Sequence, residues 1–350
     1  MKYMKTATAF AAAALVLVSA CTTPASTTPT TGAPAPEAPS ETTPAATEGL
    51  RMTILPKNLG NPYFETSTKG AEAAAAEIGA TTELVGPTDA AADAQVPYIE
   101  TATQQKVDAI QISANDQTAL CDAIKAAQAA GIKIVTFDSD APGCRDLFIN
   151  QATSEGIAKV LVEMAVEQAG GSGEIAVLSA TANATNQNAW IEAMKTDLAA
   201  NHPDIKLVDV VFGDDQDQKS FDETQALLQK YPNLKVIVAP TTVGIAAAAR
   251  YISTSDAKGK VWVTGLGTPN DMRSFVEDGT VKEFALWNPE DLGYLTTFAA
   301  AALVKGEITG AEGDKFTAGK LGEYTVGADN TVLLGDPYRF NAENIADFNF

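Results

Sequence analysis

The sequence predicts an α/β protein of two doubly wound parallel-sheet lobes joined by a hinge. From Leu50 onward, short β-branched or apolar runs alternate with helical stretches, which is the rhythm of parallel βαβ units. The rhythm restarts after Asn150, and two sets of about five such units exceed what one core comfortably holds. Only Ile149-Asn150-Gln151-Ala152-Thr153 separates the sets, a join too short for independent beads and suited to a hinged cleft.

In the first set, strands read at residues 52–55, 82–85, 109–112, 133–137 and 147–149. Helices read at 67–78, 94–105 and 120–130, with Gly79 stopping the first and Gly131 the last. Gly60, Asn61 and Pro62 enforce a bend between the first strand and the first helix. In the second set, helices at 154–168, 190–200, 221–230, 243–251 and 271–277 alternate with strands at 175–178, 207–212, 236–239, 261–264 and 284–287. A last long helix reads at 292–304.

The N-terminus reads differently. Lys2 and Lys5 precede an apolar run at 7–18 that is too short to span a bilayer as a lasting helix. Val18-Ser19-Ala20-Cys21 then resembles a bacterial lipobox, so residues 1–21 read as a lipoprotein signal peptide with acylation at Cys21. Residues 22–49, rich in Pro, Thr, Ala and Ser, lack hydrophobic periodicity and read as a disordered tether. Export implies an oxidising compartment, where the two remaining cysteines, Cys121 and Cys144, are expected to pair. A zinc site lacks ligands, since the chain has one histidine, His202.

The net charge of −20 opposes a nucleic-acid or anionic-membrane surface. Open α/β sheets place ligands beyond the carboxyl ends of their strands, so the loops there are the candidate site. They carry Lys57, Asn61, Tyr63 and Phe64, then Asn115 and Asp116, then Asp138 and Asp140. The second set supplies Asn186, Gln187, Asn188, Trp190, the Asp214-Asp215 pair, Pro240, Thr241, Thr242, Trp287 and Asn288. Amides and carboxylates can each grip two neighbouring hydroxyls, and aromatic rings suit a C–H face, so the set favours a neutral polyol. Taken singly, Asn61-Pro62 also reads as a turn, Asn186, Asn188 and Asp214-Asp215 as helix caps, and Trp287 as core.

Catalysis is poorly supported. His202 sits in a helix-end turn, Gly265-Leu266-Gly267 is an incomplete phosphate-binding fingerprint, and no Walker sequence occurs. The expectation is a binding protein with no catalytic residues, no cofactor and no metal.

The lipobox, the tether, Asn61-Pro62-Tyr63-Phe64, Thr136-Phe137-Asp138-Ser139-Asp140 and the two-lobe rhythm resemble the sugar-binding proteins of ABC importers, of the type I periplasmic binding protein fold. Ile112-Ser113-Ala114-Asn115-Asp116, Thr185-Asn186-Gln187-Asn188-Ala189-Trp190, Ala239-Pro240-Thr241-Thr242 and Leu286-Trp287-Asn288-Pro289 are similar to the rhamnose-binding branch. Autoinducer-2-binding proteins are also similar and share Lys57, Asp138, Gln187 and Pro240. They carry Asp at the positions of Asn186 and Thr241, which makes them the alternative.

The resemblance implies a monomeric receptor, lipid-anchored outside the bacterial cytoplasmic membrane, that closes on one monosaccharide and presents it to a permease. A sugar sensor feeding a membrane signalling partner uses the same body, and the sequence leaves that alternative open. Repressors of this fold carry an N-terminal DNA-binding motif, where this chain carries an export signal. Three crossings between lobes are implied, with one lobe at 50–152 plus 287–320 and the other at 153–286 plus 321–350.

Overall fold

Met52 and Ile54 turn to one face of the first strand and Leu55 to the other, and all three are buried, so this strand is covered on both sides. The structure, a computed structural model, describes residues 49–350. The expected signal peptide, Cys21 and all of the expected tether except Gly49 lie outside the described residues.

The first lobe runs β1 (Arg51–Leu55), α1 (Pro62–Ile78), β2 (Thr81–Leu84), α2 (Val96–Gln105), β3 (Ala109–Ile112), α3 (Cys121–Ala129), β4 (Lys133–Phe137) and β5 (Leu147–Asn150). The second follows as α4 (Ser154–Ala169), β6 (Gly173–Ser179), α5 (Thr185–Asn201), β7 (Ile205–Phe212), α6 (Asp217–Lys230), β8 (Leu234–Ala239), α7 (Thr242–Thr254), β9 (Trp262–Gly265), α8 (Pro269–Glu277) and β10 (Glu283–Leu286). Then come α9 (Pro289–Lys305), β11 (Lys315–Thr317), β12 (Glu323–Thr325), β13 (Thr331–Leu333) and β14 (Tyr338–Asn341).

The first sheet has the order β2-β1-β3-β4-β5-β13 and every pair in it is parallel. The second has the order β7-β6-β8-β9, also parallel. Its edge continues through a bridge from Leu266 to Ala285 into the antiparallel pair β10-β14. Both sheets are thus doubly wound, as the alternating pattern predicts.

Several helices begin earlier than the sequence suggests, α1 and α5 among them. Asn61 takes extended backbone and its side chain accepts from the Tyr63 amide, so Asn61 caps α1 and Pro62 occupies the first turn. The bend ends at Gly60 (φ +76°), and Tyr63 and Phe64 are helical. Likewise Asn186, Gln187 and Asn188 form the first turn of α5 rather than a loop.

The chain passes between lobes after β5, again after β10, and last between β13 and β14. The second lobe was expected to regain the chain at residue 321, and this is corrected. β13 pairs with β5, so residues 331–333 extend the first sheet. The amides of Leu334 and Gly335 then donate to the carbonyls of Asn150 and Gln151, which lays the last crossing beside the first.

α9 returns to pack on α1, β3 and β4. It comes very close to α1: a Cβ on Gly70 would sit 1.8 Å from the Glu290 carbonyl oxygen, and one on Gly293 would sit 1.9 Å from that of Ser67. Only glycine permits this crossing. Cys121, the first residue of α3, is bonded to Cys144 in the β4–β5 connection, with Cα atoms 5.4 Å apart.

Candidate functional site

Both sheets direct their carboxyl ends at one cleft of about 370 Å³, its open mouth included. From the first lobe it is lined by Lys57, Asn61, Tyr63, Phe64 and Asp138, and from the second by Asn186, Gln187, Trp190, Pro240 and Thr242. Trp287, at the second crossing, completes the expected part of the wall.

Backbone geometry aims several of these groups. Asp138 ends β4 with φ at +61°, and the Ser139 amide donates to the Phe137 carbonyl across it at 2.6 Å. A non-glycine residue held there stores about 1–3 kcal/mol of strain, which the surrounding packing must offset. Asp214 and Asp215, after β7, are two consecutive residues with positive φ (+54° and +52°), and this turn brings Asp215 to the cavity. The Thr241 side chain caps α7 directly after Pro240.

The polar wall is a connected network. Asp138 accepts from Ser113 Oγ at 2.7 Å and from the Tyr63 hydroxyl at 3.2 Å, and Tyr63 in turn accepts from Trp287 Nε1 at 2.8 Å. Lys57 Nζ lies 3.8 Å from Asp138 Oδ2, with both side chains almost wholly buried. Lys57 also donates to Asn186 Oδ1 at 2.9 Å, and Asn186 Nδ2 donates to the Asp138 carbonyl at 3.3 Å. These two bonds join the lobes directly. Gln187 Oε1 accepts from Ser179 Oγ and from the Ala180 amide, which leaves its amide donors for the cavity.

The apolar wall is aromatic. Tyr63 packs edge-on against Phe64 and Trp287, with centroids 5.0 and 6.0 Å away, and Trp190 meets Trp287 at 6.0 Å. Burial, reinforced by the Asp138 charge, holds the Tyr63 hydroxyl protonated well above its usual range. Burial likewise pushes the Asp215 carboxyl up, opposed by the Thr241 hydrogen bond (2.5 Å) and the Lys57 ammonium.

Of the expected residues absent from this wall, Asn115, Asp116, Asn188 and Asn288 share one reason: each satisfies backbone instead. Asn115 donates to the carbonyls of Lys57 and Ala91, so it braces the Lys57 loop from behind. Asp116 accepts from the amides of Thr118 and Ala119. Asn188 donates to the Ala182 carbonyl, and Asn288 caps α9 through the Glu290 amide. Asp140 is held by Arg145 in a two-pronged ion pair that also reaches the Asp329 carbonyl.

Leu286 lines the cavity without having been named among the loop residues, and the loop residues Asp215 and Thr241 line it together with Leu266. For Asp215 the signal was present in the paired aspartates, which read more simply as a cap. No cluster of metal-ligating side chains occurs among the described residues. The cavity therefore offers hydrogen bonds to hydroxyls on one side and ring faces to C–H groups on the other.

Residues 52–308 match the periplasmic binding protein domain family. The chain belongs to that family. It is similar to a sugar ABC transporter protein from Actinomyces odontolyticus (53% identity over 86% of this chain and 98% of the other, TM-score 0.70). It is also similar to an ABC transporter solute-binding protein from Clostridium phytofermentas with bound L-rhamnose (39% identity, 85% and 98% coverage, TM-score 0.83). A third similar structure is LsrB from Clostridium saccharobutylicum in complex with AI-2 (25% identity, 86% and 100% coverage, TM-score 0.81). This chain is thus a periplasmic binding protein, and the proteins it is similar to are sugar-binding components of ABC transporters rather than enzymes.

Proposed function

We propose that the protein captures L-rhamnose between its lobes and delivers it to a membrane permease, anchored by a lipid on Cys21. The observation that carries this is the two-sided cavity, with Lys57, Asp138, Asn186 and Gln187 facing Tyr63, Phe64, Trp190 and Trp287. Hydroxyls of the sugar replace the direct bonds between Lys57, Asn186 and Asp138, so contacts from both lobes reward closure only around a ligand. The methyl group of a 6-deoxy sugar against the aromatic wall is favoured by about 1–3 kcal/mol over a hydroxymethyl. The similarity to the rhamnose-bound Clostridium protein, which spans nearly all of that chain, supports the same ligand.

Autoinducer-2 is the second reading, favoured by the similarity to LsrB and by the Lys57, Asp138, Gln187 and Pro240 positions. Asn186 weighs against it. Its amide nitrogen lies 3.4 Å from Asp138 Oδ1, where those relatives carry a carboxylate able to grip the hydroxyls of a furanosyl ligand. Isothermal titration calorimetry of the folded body tests the choice. L-rhamnose is expected to bind more tightly than ribose, glucose, galactose or autoinducer-2, and the absence of that preference would overturn the ligand assignment.

A further inference from the structure

Between the lobes, next to the inner cavity, lies a second and larger space that opens to solvent, about 870 Å³ with its mouth included. Asn58 and Pro62 line it from the first lobe, and Asp215, Arg250, Asp271 and Phe275 from the second. Three residues, Asn61, Asp215 and Thr242, line both spaces. The partition between them is the contact of Thr242 Oγ1 with Asn61 Oδ1, which at 3.5 Å is at the limit of a hydrogen bond.

The outer space repeats the chemistry of the inner one. Asp215, Asp271 and the half-buried ring of Phe275 line it with Arg250, whose guanidinium pairs with Asp217 and lies over the Phe221 ring. Asn58 supplies an independent sign of a missing partner. It is only 7% exposed, and its buried Oδ1 has no hydrogen-bond partner among the described residues. A buried acceptor left unpaired is costly, and a wider opening of the lobes that lets a hydroxyl donor reach it removes that cost.

Resting on the rhamnose reading of the inner cavity, we infer that the outer space is a second pyranose subsite. The protein then binds an O-glycoside: one ring in the inner cavity, the glycosidic link passing where Thr242 and Asn61 now touch, and a second ring over Phe275 and Asn58. Such a ligand is held in a slightly wider closure than the free sugar.

Calorimetry with L-rhamnose and with its α-1,2-, α-1,3- and α-1,4-linked disaccharides tests this. At least one disaccharide is expected to bind at least as tightly as L-rhamnose. Asn58→Ala and Phe275→Ala are each expected to weaken that disaccharide about tenfold while leaving L-rhamnose within about twofold. Retained rhamnose binding shows that each variant is folded. If rhamnose binds and no disaccharide does, or if disaccharide affinity survives both substitutions, the outer subsite is wrong. If rhamnose itself fails to bind, the inner-cavity reading falls first and takes the subsite with it.

Discussion

The indole of Trp287 donates to the Tyr63 hydroxyl at 2.8 Å, across 224 residues of sequence. Tyr63 stands in the first turn of α1, and Trp287 immediately precedes Asn288, the N-cap of α9. The bond therefore ties together the starts of the two helices that cross at Gly70 and Gly293. Tyr63 passes the connection on to Asp138, so one chain of donors orients the carboxylate toward the cavity. Tyr63→Phe removes the shared hydroxyl and is expected to weaken sugar binding by about 1–2 kcal/mol with the fold intact, as read by calorimetry alongside a thermal melt.

The helix crossing makes a separate prediction. Gly293→Ala puts a methyl group against a backbone carbonyl that cannot move out of its own helix. The expected loss is about 1–3 kcal/mol in a denaturant titration, together with a weaker sugar site because Trp287 shifts with α9. An alanine at position 293 with unchanged stability would mean that α1 and α9 do not approach this closely.

Asp138 is both a candidate ligand group and the partner of a buried Lys57. Asp138→Ala leaves that ammonium without its counter-charge and strands sugar hydroxyls, so binding is expected to weaken by about 1–3 kcal/mol or more. Asp138→Asn tolerates the left-handed backbone and is expected to keep the fold while still losing affinity. Unchanged calorimetric affinity in both variants would remove Asp138 from the site.

Asp215 gives the protein a pH dependence. Its folded-state pKa is raised by burial, so its contribution to stability is fully present below the unfolded pKa and is lost as pH rises through the raised value. Above the unfolded pKa, ionisation of this carboxyl is disfavoured in the fold and weighs against the ligand-free state. Asp215→Asn is therefore expected to raise Tm near pH 7, with the gain fading as pH falls below about 4, where the wild-type carboxyl protonates even in the unfolded chain. A gain that is the same at every pH would point to a cause other than titration.

The strands were readable because each core strand is a run of β-branched and apolar residues covered on both faces, as Ile110, Ile112, Ile134 and Val135 are. The helix starts were harder. Asn61-Pro62 and Thr185-Asn186 use the residue types of turns, and whether such residues cap a helix or end a loop depends on which backbone amide is left unpaired. The same ambiguity sorted the site. Asn186 and Asn188 are two residues apart, yet one joins the cavity network and the other turns back to the Ala182 carbonyl. The late return of β13 to the first sheet left no trace in its three-residue strand, because pairing of so short an edge is decided by what lies beside it.

Trp190 and Trp287 stand 6.0 Å apart at the cavity wall, and the chain has three tryptophans in all. Two of its three indole fluorophores therefore lie within touching distance of whatever the lobes enclose. The molecule carries its own optical gauge of occupancy, readable without a dye, a tag or any change to its surface.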